Sequence, residues 1–176
     1  MNTELEVRIL DINKENIINK LENLGAKFIG DFNQIRYCYD FNPKLDNKWI
    51  RLRTTGIKNT LTIKEVKNSN VDGTKELEIE VSSIEDTDKI LNELGYKKRS
   101  IQENHRIQYI LNDVEIDIDT WPHLNTFVEF EAKSIDKIKE VCKLLELDYS
   151  KAITDNVQDI YLKKGYKKED LDDLKF

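Results

Sequence analysis

The sequence predicts an α+β protein built on antiparallel strands, either a barrel or a sheet with helices on its outside. Three observations lead there. About eight segments alternate polar and apolar residues with period two, the turns between them are short, and few stretches carry helical spacing. The 176 residues suit one domain, taken as 1–176, because no Pro/Gly/Ser-rich linker interrupts them.

Strict alternation opens the chain in Glu4-Leu5-Glu6-Val7-Arg8-Ile9, a strand pattern. Asn13 can cap a helix carrying Ile17, Ile18, Leu21 and Leu24, and Gly25 stops it. Residues 27–41 form a longer extended stretch, rich in aromatics and closed by Asn42-Pro43. Two strands follow around a turn at Gly56: Trp49-Ile50-Arg51-Leu52-Arg53 and Thr60-Leu61-Thr62-Ile63-Lys64. Asp72-Gly73 turns the chain into Glu76-Leu77-Glu78-Ile79-Glu80-Val81. A helix is expected over 84–94, stopped by Gly95, and then strands over 101–111, 114–120 and 126–132, the first two joined by Asn112-Asp113. Apolar residues return to helical spacing at 135–147, and a short helix is expected at 157–164 before an acidic tail from Glu169.

Composition narrows the function. A formal net charge of −6 argues against general nucleic-acid binding, where a basic face supplies most of the affinity. Cys38 and Cys142 share no metal-ligand spacing and are read as free thiols in a reducing compartment. No apolar run is long enough to span a membrane, so a cytoplasmic protein without a membrane partner is expected.

Side chains two apart share a strand face. One face gathers Glu4, Glu6 and Arg8, then Arg51 and Arg53, then Thr60, Thr62 and Lys64, then Glu76, Glu78 and Glu80. Later strands add Asn104, Arg106 and Gln108, then Glu115, Asp117 and Asp119, then Glu129 and Glu131. Two geometries are open. A sheet with one face in water shows this alternation. So does a barrel closed around its polar face, and repeated Glu-x-Glu and Arg-x-Arg favour it, because like charges two apart need a charged ligand or metal ion between them. His105 lies on the phase opposite Arg106 and is expected to face away. Tyr37 and Tyr39 are read as packing residues, and Trp49 and Trp121 as anchors at strand ends.

These residues resemble the CYTH family, the triphosphate tunnel metalloenzymes, which include class IV adenylyl cyclases, thiamine triphosphatases and inorganic tripolyphosphatases. The family's opening E-x-E-x-K strand is similar to Glu4-Leu5-Glu6-Val7-Arg8, and its R-x-R strand to Arg51-Leu52-Arg53. Its next lysine corresponds to Lys64, its central E-x-E to Glu76-Leu77-Glu78-Ile79-Glu80, and its K-x-R-x-x-Y segment to Asn104, Arg106 and Tyr109. Asp119 and Phe127-Val128-Glu129-Phe130-Glu131 match the closing motif. Arg8 and Asn104 stand where lysines are usual, and an arginine stays protonated, so it cannot accept a proton.

The resemblance implies an antiparallel eight-stranded closed β-barrel, a tunnel with a polar interior and helices packed outside. It implies a triphosphate-containing small molecule as partner and Mg²⁺ or Mn²⁺ held by Glu4, Glu6, Asp119, Glu129 and Glu131. Glu4, Glu6 and Arg8 would be catalytic, and Arg8, Arg51, Arg53, Lys64, Glu78 and Arg106 would hold the substrate. Asp117 would support them from behind. Hydrolysis of tripolyphosphate or of a nucleoside or thiamine triphosphate, cyclisation of ATP, and binding without turnover all use these parts, in a monomer or a homodimer.

Overall fold

The alternating segments form one curled sheet, with the helical segments packed on its apolar outer face. The computed structural model describes residues 2–68 and 70–176, and for residues 2–4 the backbone alone. In chain order the elements are β1 (Asn2–Ile9), α1 (Lys14–Asn23), β2 (Lys27–Leu45), β3 (Lys48–Thr54), β4 (Asn59–Val66), β5 (Thr74–Glu80) and α2 (Ile84–Glu93). There follow β6 (Lys98–Leu111), β7 (Val114–Thr120), β8 (Phe127–Ala132), α3 (Ile135–Leu144), α4 (Val157–Lys163) and β9 (Asp173–Leu174). β2 outruns its expected end at Phe41, because the chain past Pro43 stays in the hairpin and sets Leu45 opposite Lys48.

The strands are ordered β2-β3-β4-β5-β1-β8-β7-β6-β9, with β2 also pairing along β6. The expected closed eight-stranded barrel is not what forms. The sheet is an open, curled half-barrel with edges 8 Å apart, and it has nine strands among the described residues.

Two local features account for the difference. β1 meets β5 only where Asn2, Thr3 and Glu4 face Glu76, Lys75 and Thr74. Further along β1, other segments hold that edge: the Glu6 N–H donates to the Val71 carbonyl at 3.3 Å, and Arg8 and Ile153 exchange backbone bonds of 2.8 and 2.9 Å. The β1–β5 ladder is therefore three residues long, and at its other end Leu77 and Ile79 of β5 run past Asn2 and are exposed. The second feature is the acidic tail. It docks by burying Leu171 and Leu174, and β9 adds to β6 in parallel, with Asp173 and Leu174 opposite Ile101 and Gln102.

The apolar phase of the strands builds the core. Ile17 and Leu21 of α1 and Ile138, Val141 and Cys142 of α3 pack on Val7, Ile116, Val128 and Phe130. Ile84 and Leu91 of α2 cover Tyr39, Ile50 and Leu52. α4 and the tail join Trp121 and Phe127 through Ile160, Tyr161, Leu171 and Leu174. Helix ends follow their local chemistry: the Asn13 side chain accepts from the Asn16 N–H at 2.8 Å, and Ser83 from the Asp86 N–H at 3.1 Å. Gly25 and Gly95 end α1 and α2 at φ values of +70° and +89°, a region costly for other residues. Among the described residues no helix is long and apolar enough to cross a membrane.

Packing on this face sets the stability. Phe130 is fully buried, so Phe130→Ala should cost about 3–5 kcal/mol in chemical denaturation. Leu77→Ala, at an exposed position, should stay within about 0.5 kcal/mol of the unchanged protein.

Candidate functional site

The polar phase of the strands faces the concave side and lines a cavity of about 980 Å³. Glu6, Arg8, Arg51, Arg53, Lys64, Glu78, Arg106, Asp119, Glu129 and Glu131 all meet there. The side chain of Glu4 lies outside the described residues. His105 is on the outer surface, 2.5 Å from Asp31. Tyr39 is buried under α2 and donates its hydroxyl proton to Asp88 at 2.5 Å.

Arg106 organises one wall. Its Nε and Nη2 donate to the two oxygens of Asp119 at 2.8 and 2.5 Å, Nη2 also reaches Glu129 at 3.3 Å, and Nη1 pairs with Asp117. The register makes this fork possible, because Arg106 lies directly opposite Asp119 and Asp117 lies opposite Glu129. Burial opposes the Arg106 charge, but Asp117, Asp119 and Glu129 outweigh it and hold its pKa well above the ordinary value. Asn104 adds a donor to Asp119 at 3.1 Å.

Arg8 organises the next wall. It pairs with Glu6, lies 2.6 Å from Glu129, and donates from Nη1 to the Asp155 carbonyl at 2.7 Å. Burial works against the Glu129 charge, yet Arg8 and Arg106 hold its pKa down at about 2.

The third wall is looser. Arg51 is 3.5 and 3.4 Å from Glu76 and Glu78, and Arg53 is 3.5 Å from Glu78. Lys64 sits 2.5 Å from Glu76, its neighbour across the β4–β5 ladder, and 3.7 Å from Glu6. The Nε atoms of Arg8, Arg51 and Arg53 are buried without a hydrogen-bond partner. Burial, then Arg51 and Arg106, pull the Arg53 pKa down to about 10.

Carboxylates crowd where β1, β8 and β7 meet. Glu131 lies directly opposite Glu6 on one side and Glu115 on the other, an arrangement that like charges disfavour. Burial, then Glu115, Glu129 and Glu76, push its pKa up to about 7. Hard oxygen donors in a surplus of negative charge suit a divalent cation in type. Among the described residues no three His, Cys, Asp or Glu side chains converge closely enough to hold a metal ion. Both Asp119 oxygens already accept from Arg106.

Sequence reasoning passed over Arg36. It projects from β2, is 8% exposed, and lines the cavity. Nη2 donates to Gln34 Oε1 at 3.0 Å, and the guanidinium lies 4.5 Å from the centre of the Trp121 ring. Burying such a charge costs several kcal/mol, and a cation–π contact returns only about 0.5–2 kcal/mol. Burial, followed by Arg106 and Arg51, holds its pKa well below the ordinary value. A signal was present: Gln34, Arg36 and Asp40 share one phase of a stretch whose aromatic residues drew attention first. Trp121, expected to be a plain anchor, is the ring on which Arg36 stacks.

With that arrangement in hand, comparison with known proteins is specific. Residues 2–162 match the profile of the CYTH domain, and the chain belongs to that family. The PH1012 protein of Pyrococcus horikoshii is similar at 26% identity over 89% of this chain and 98% of its own, with a TM-score of 0.76. A Vibrio parahaemolyticus protein provisionally assigned as an adenylate cyclase shares 14% identity over 92% of this chain and 98% of its own, with a TM-score of 0.77. A Hippeastrum protein, provisionally assigned as an adenylyl cyclase and described as having a dominant triphosphatase activity, shares 13% identity over 97% of this chain and all 100% of its own, with a TM-score of 0.61. No curated protein matches the sequence.

The pKa shifts set a pH dependence of stability. Glu131 and Asp117 both rise to about 7. For Asp117 the causes are burial first, opposed by Arg106, and then the charges of Asp119 and Glu129. A raised carboxyl pKa adds stability that is complete below the ordinary value of about 4 and is lost as pH rises through 7. Glu129 works in the opposite sense, and its contribution is lost only as pH falls toward about 2. The melting temperature of the protein in chelator should therefore rise between pH 8 and pH 5.5. Glu131→Gln should flatten that rise, and an unchanged slope in this variant would contradict the assignment.

Proposed function

We propose that this protein hydrolyses a linear triphosphate bound in the cavity with Mg²⁺ or Mn²⁺. The observation that carries the reading is the set of buried guanidinium Nε donors on Arg8, Arg51 and Arg53 that have no partner. Guanidinium donors held in place without acceptors are suited to phosphate oxygens, which take them in pairs. The loose contacts of 3.4–3.5 Å from Arg51 and Arg53 to Glu76 and Glu78 can give way to a stronger anion.

Each wall then has a task. Arg51, Arg53 and Lys64 grip the phosphate chain, with Glu78 orienting the two arginines. Arg106, clamped by Asp119, presents a fixed positive charge. Arg8 offsets charge, and its guanidinium offers only donors, so it is not the base. Glu6, Glu129 and Glu131 would hold the divalent ion, together with Glu4, and Asp119 would join them if Arg106 released an oxygen. A bound Mg²⁺ or Mn²⁺ supplies positive charge against the phosphate oxygens and acidifies water. In hydrolysis, water oxygen forms the new bond to a terminal phosphorus, the bridging P–O bond breaks, and diphosphate leaves with the electron pair. A proton released from the water goes to a carboxylate of the acidic cluster. Positioning and electrostatics supply most of the rate in such transfers.

The activity named for the Hippeastrum protein of similar fold agrees with hydrolysis, and hydrolysis asks for less than cyclisation, which also needs a nucleoside pocket. The test is release of phosphate and pyrophosphate from tripolyphosphate, ATP and thiamine triphosphate with each metal. Phosphate release supports hydrolysis. Cyclic AMP with pyrophosphate would replace it with cyclisation, and binding without product would leave a binding module. Arg53→Met should raise KM for the substrate about 10- to 100-fold, the loss expected for a charge-assisted hydrogen bond. Glu6→Gln should abolish metal-dependent turnover while the circular dichroism spectrum is kept.

A further inference from the structure

Arg36 has no task in the cradle just described, yet its surroundings are those of a ligand residue. It lies directly opposite Arg53 across the β2–β3 ladder, on the same face. Its Nε is buried and unpartnered, and so is Nε1 of Trp121, the ring it stacks on. Among the described residues no carboxylate pairs with Arg36. The acid that acts on it, Asp119, already gives both oxygens to Arg106. Three guanidinium groups, those of Arg106, Arg51 and Arg53, bear on it instead. Trp121 packs with Tyr161, Leu171 and Leu174, which also line the cavity, so Arg36 sits against an aromatic and apolar part of it.

The geometry points to a phosphoryl subsite made by Arg36 and the Trp121 indole N–H, which receives the unesterified terminal phosphate of a linear triphosphate. The subsite rests on the cradle reading above and refines it. A terminal phosphate carries more charge than an esterified one and has three free oxygens, which suits an otherwise uncompensated guanidinium and an indole donor. Arg36, opposite Arg53, takes the phosphate beyond the two that Arg51, Arg53 and Lys64 grip. The subsite thus separates triphosphates from diphosphates, because a diphosphate seated on Arg51 and Arg53 has no group left for Arg36.

Isothermal titration of the full chain with tripolyphosphate and with pyrophosphate, both in Mg²⁺, tests this. Arg36→Met should weaken tripolyphosphate binding roughly 10- to 100-fold and change pyrophosphate binding less than about threefold. Its melting temperature should stay level or rise, since an uncompensated buried charge is removed. Unchanged tripolyphosphate affinity in Arg36→Met overturns the subsite while leaving the cradle in place. Equal weakening of both ligands with a lowered melting temperature also overturns it, in favour of a structural role for Arg36. Failure of the unmodified protein to bind tripolyphosphate overturns the cradle and the subsite together.

Discussion

Arg106 is the charge on which the concave face depends. Asp117, Asp119 and Glu129 are all buried, and each would cost several kcal/mol as an uncompensated anion. One guanidinium contacts all three, from a position opposite Asp119 in the β6–β7 ladder. Arg8 performs the same service between β1 and β8, and its bond to the Asp155 carbonyl ties in the segment just before α4. Removing Arg106 would leave Asp117 and Asp119 without an ion pair among the described residues, and removing Arg8 would leave Glu129 and Glu6 only the longer contacts to Arg106 and Lys64. The polar interior is possible because these two fixed cations sit among the acids.

Compensation is incomplete in two places, and there the structure departs from what stability alone would select. Glu131 lies between Glu6 and Glu115, and Arg36 lies beside Arg53, Arg51 and Arg106. One place gathers surplus negative charge and the other surplus positive charge. Local arrangements that cost stability without an internal partner are characteristic of functional sites. A ligand carrying phosphate anions together with divalent cations would satisfy both surpluses at once, which no single side-chain replacement could do.

The open seam also bears on this face. β1 pairs with β5 over Asn2–Glu4 and with β8 over Leu5–Ile9, and backbone groups of Val71 and Ile153 take its other edge at Glu6 and Arg8. That same edge carries Glu6 and Arg8 into the cavity. The segment of Thr154, Asp155 and Asn156 lines the cavity beside them. The interruption therefore brings a loop and the start of α4 to the site, where a continuous strand ladder would have kept them out.

Much of this could be read from the chain as text. Period-two alternation is a local property, so the sequence alone separates the apolar phase of Leu5, Val7, Ile116 and Phe130 from the polar phase of Glu6, Arg51, Arg53 and Glu129. Asn13 and Gly25 marked their helix ends for equally local reasons of capping and left-handed backbone. Tertiary structure alone decided the rest. Residues near 71 and 153, distant in sequence, take up the β1 edge and leave the sheet open. Leu171 and Leu174 bury the tail and make a ninth strand. Arg36 gains its meaning from Trp121, Arg53 and Arg106, which lie on three other strands or their ends. Alternation states which way a side chain points, whereas strand closure and charge balance depend on which distant residues arrive beside it.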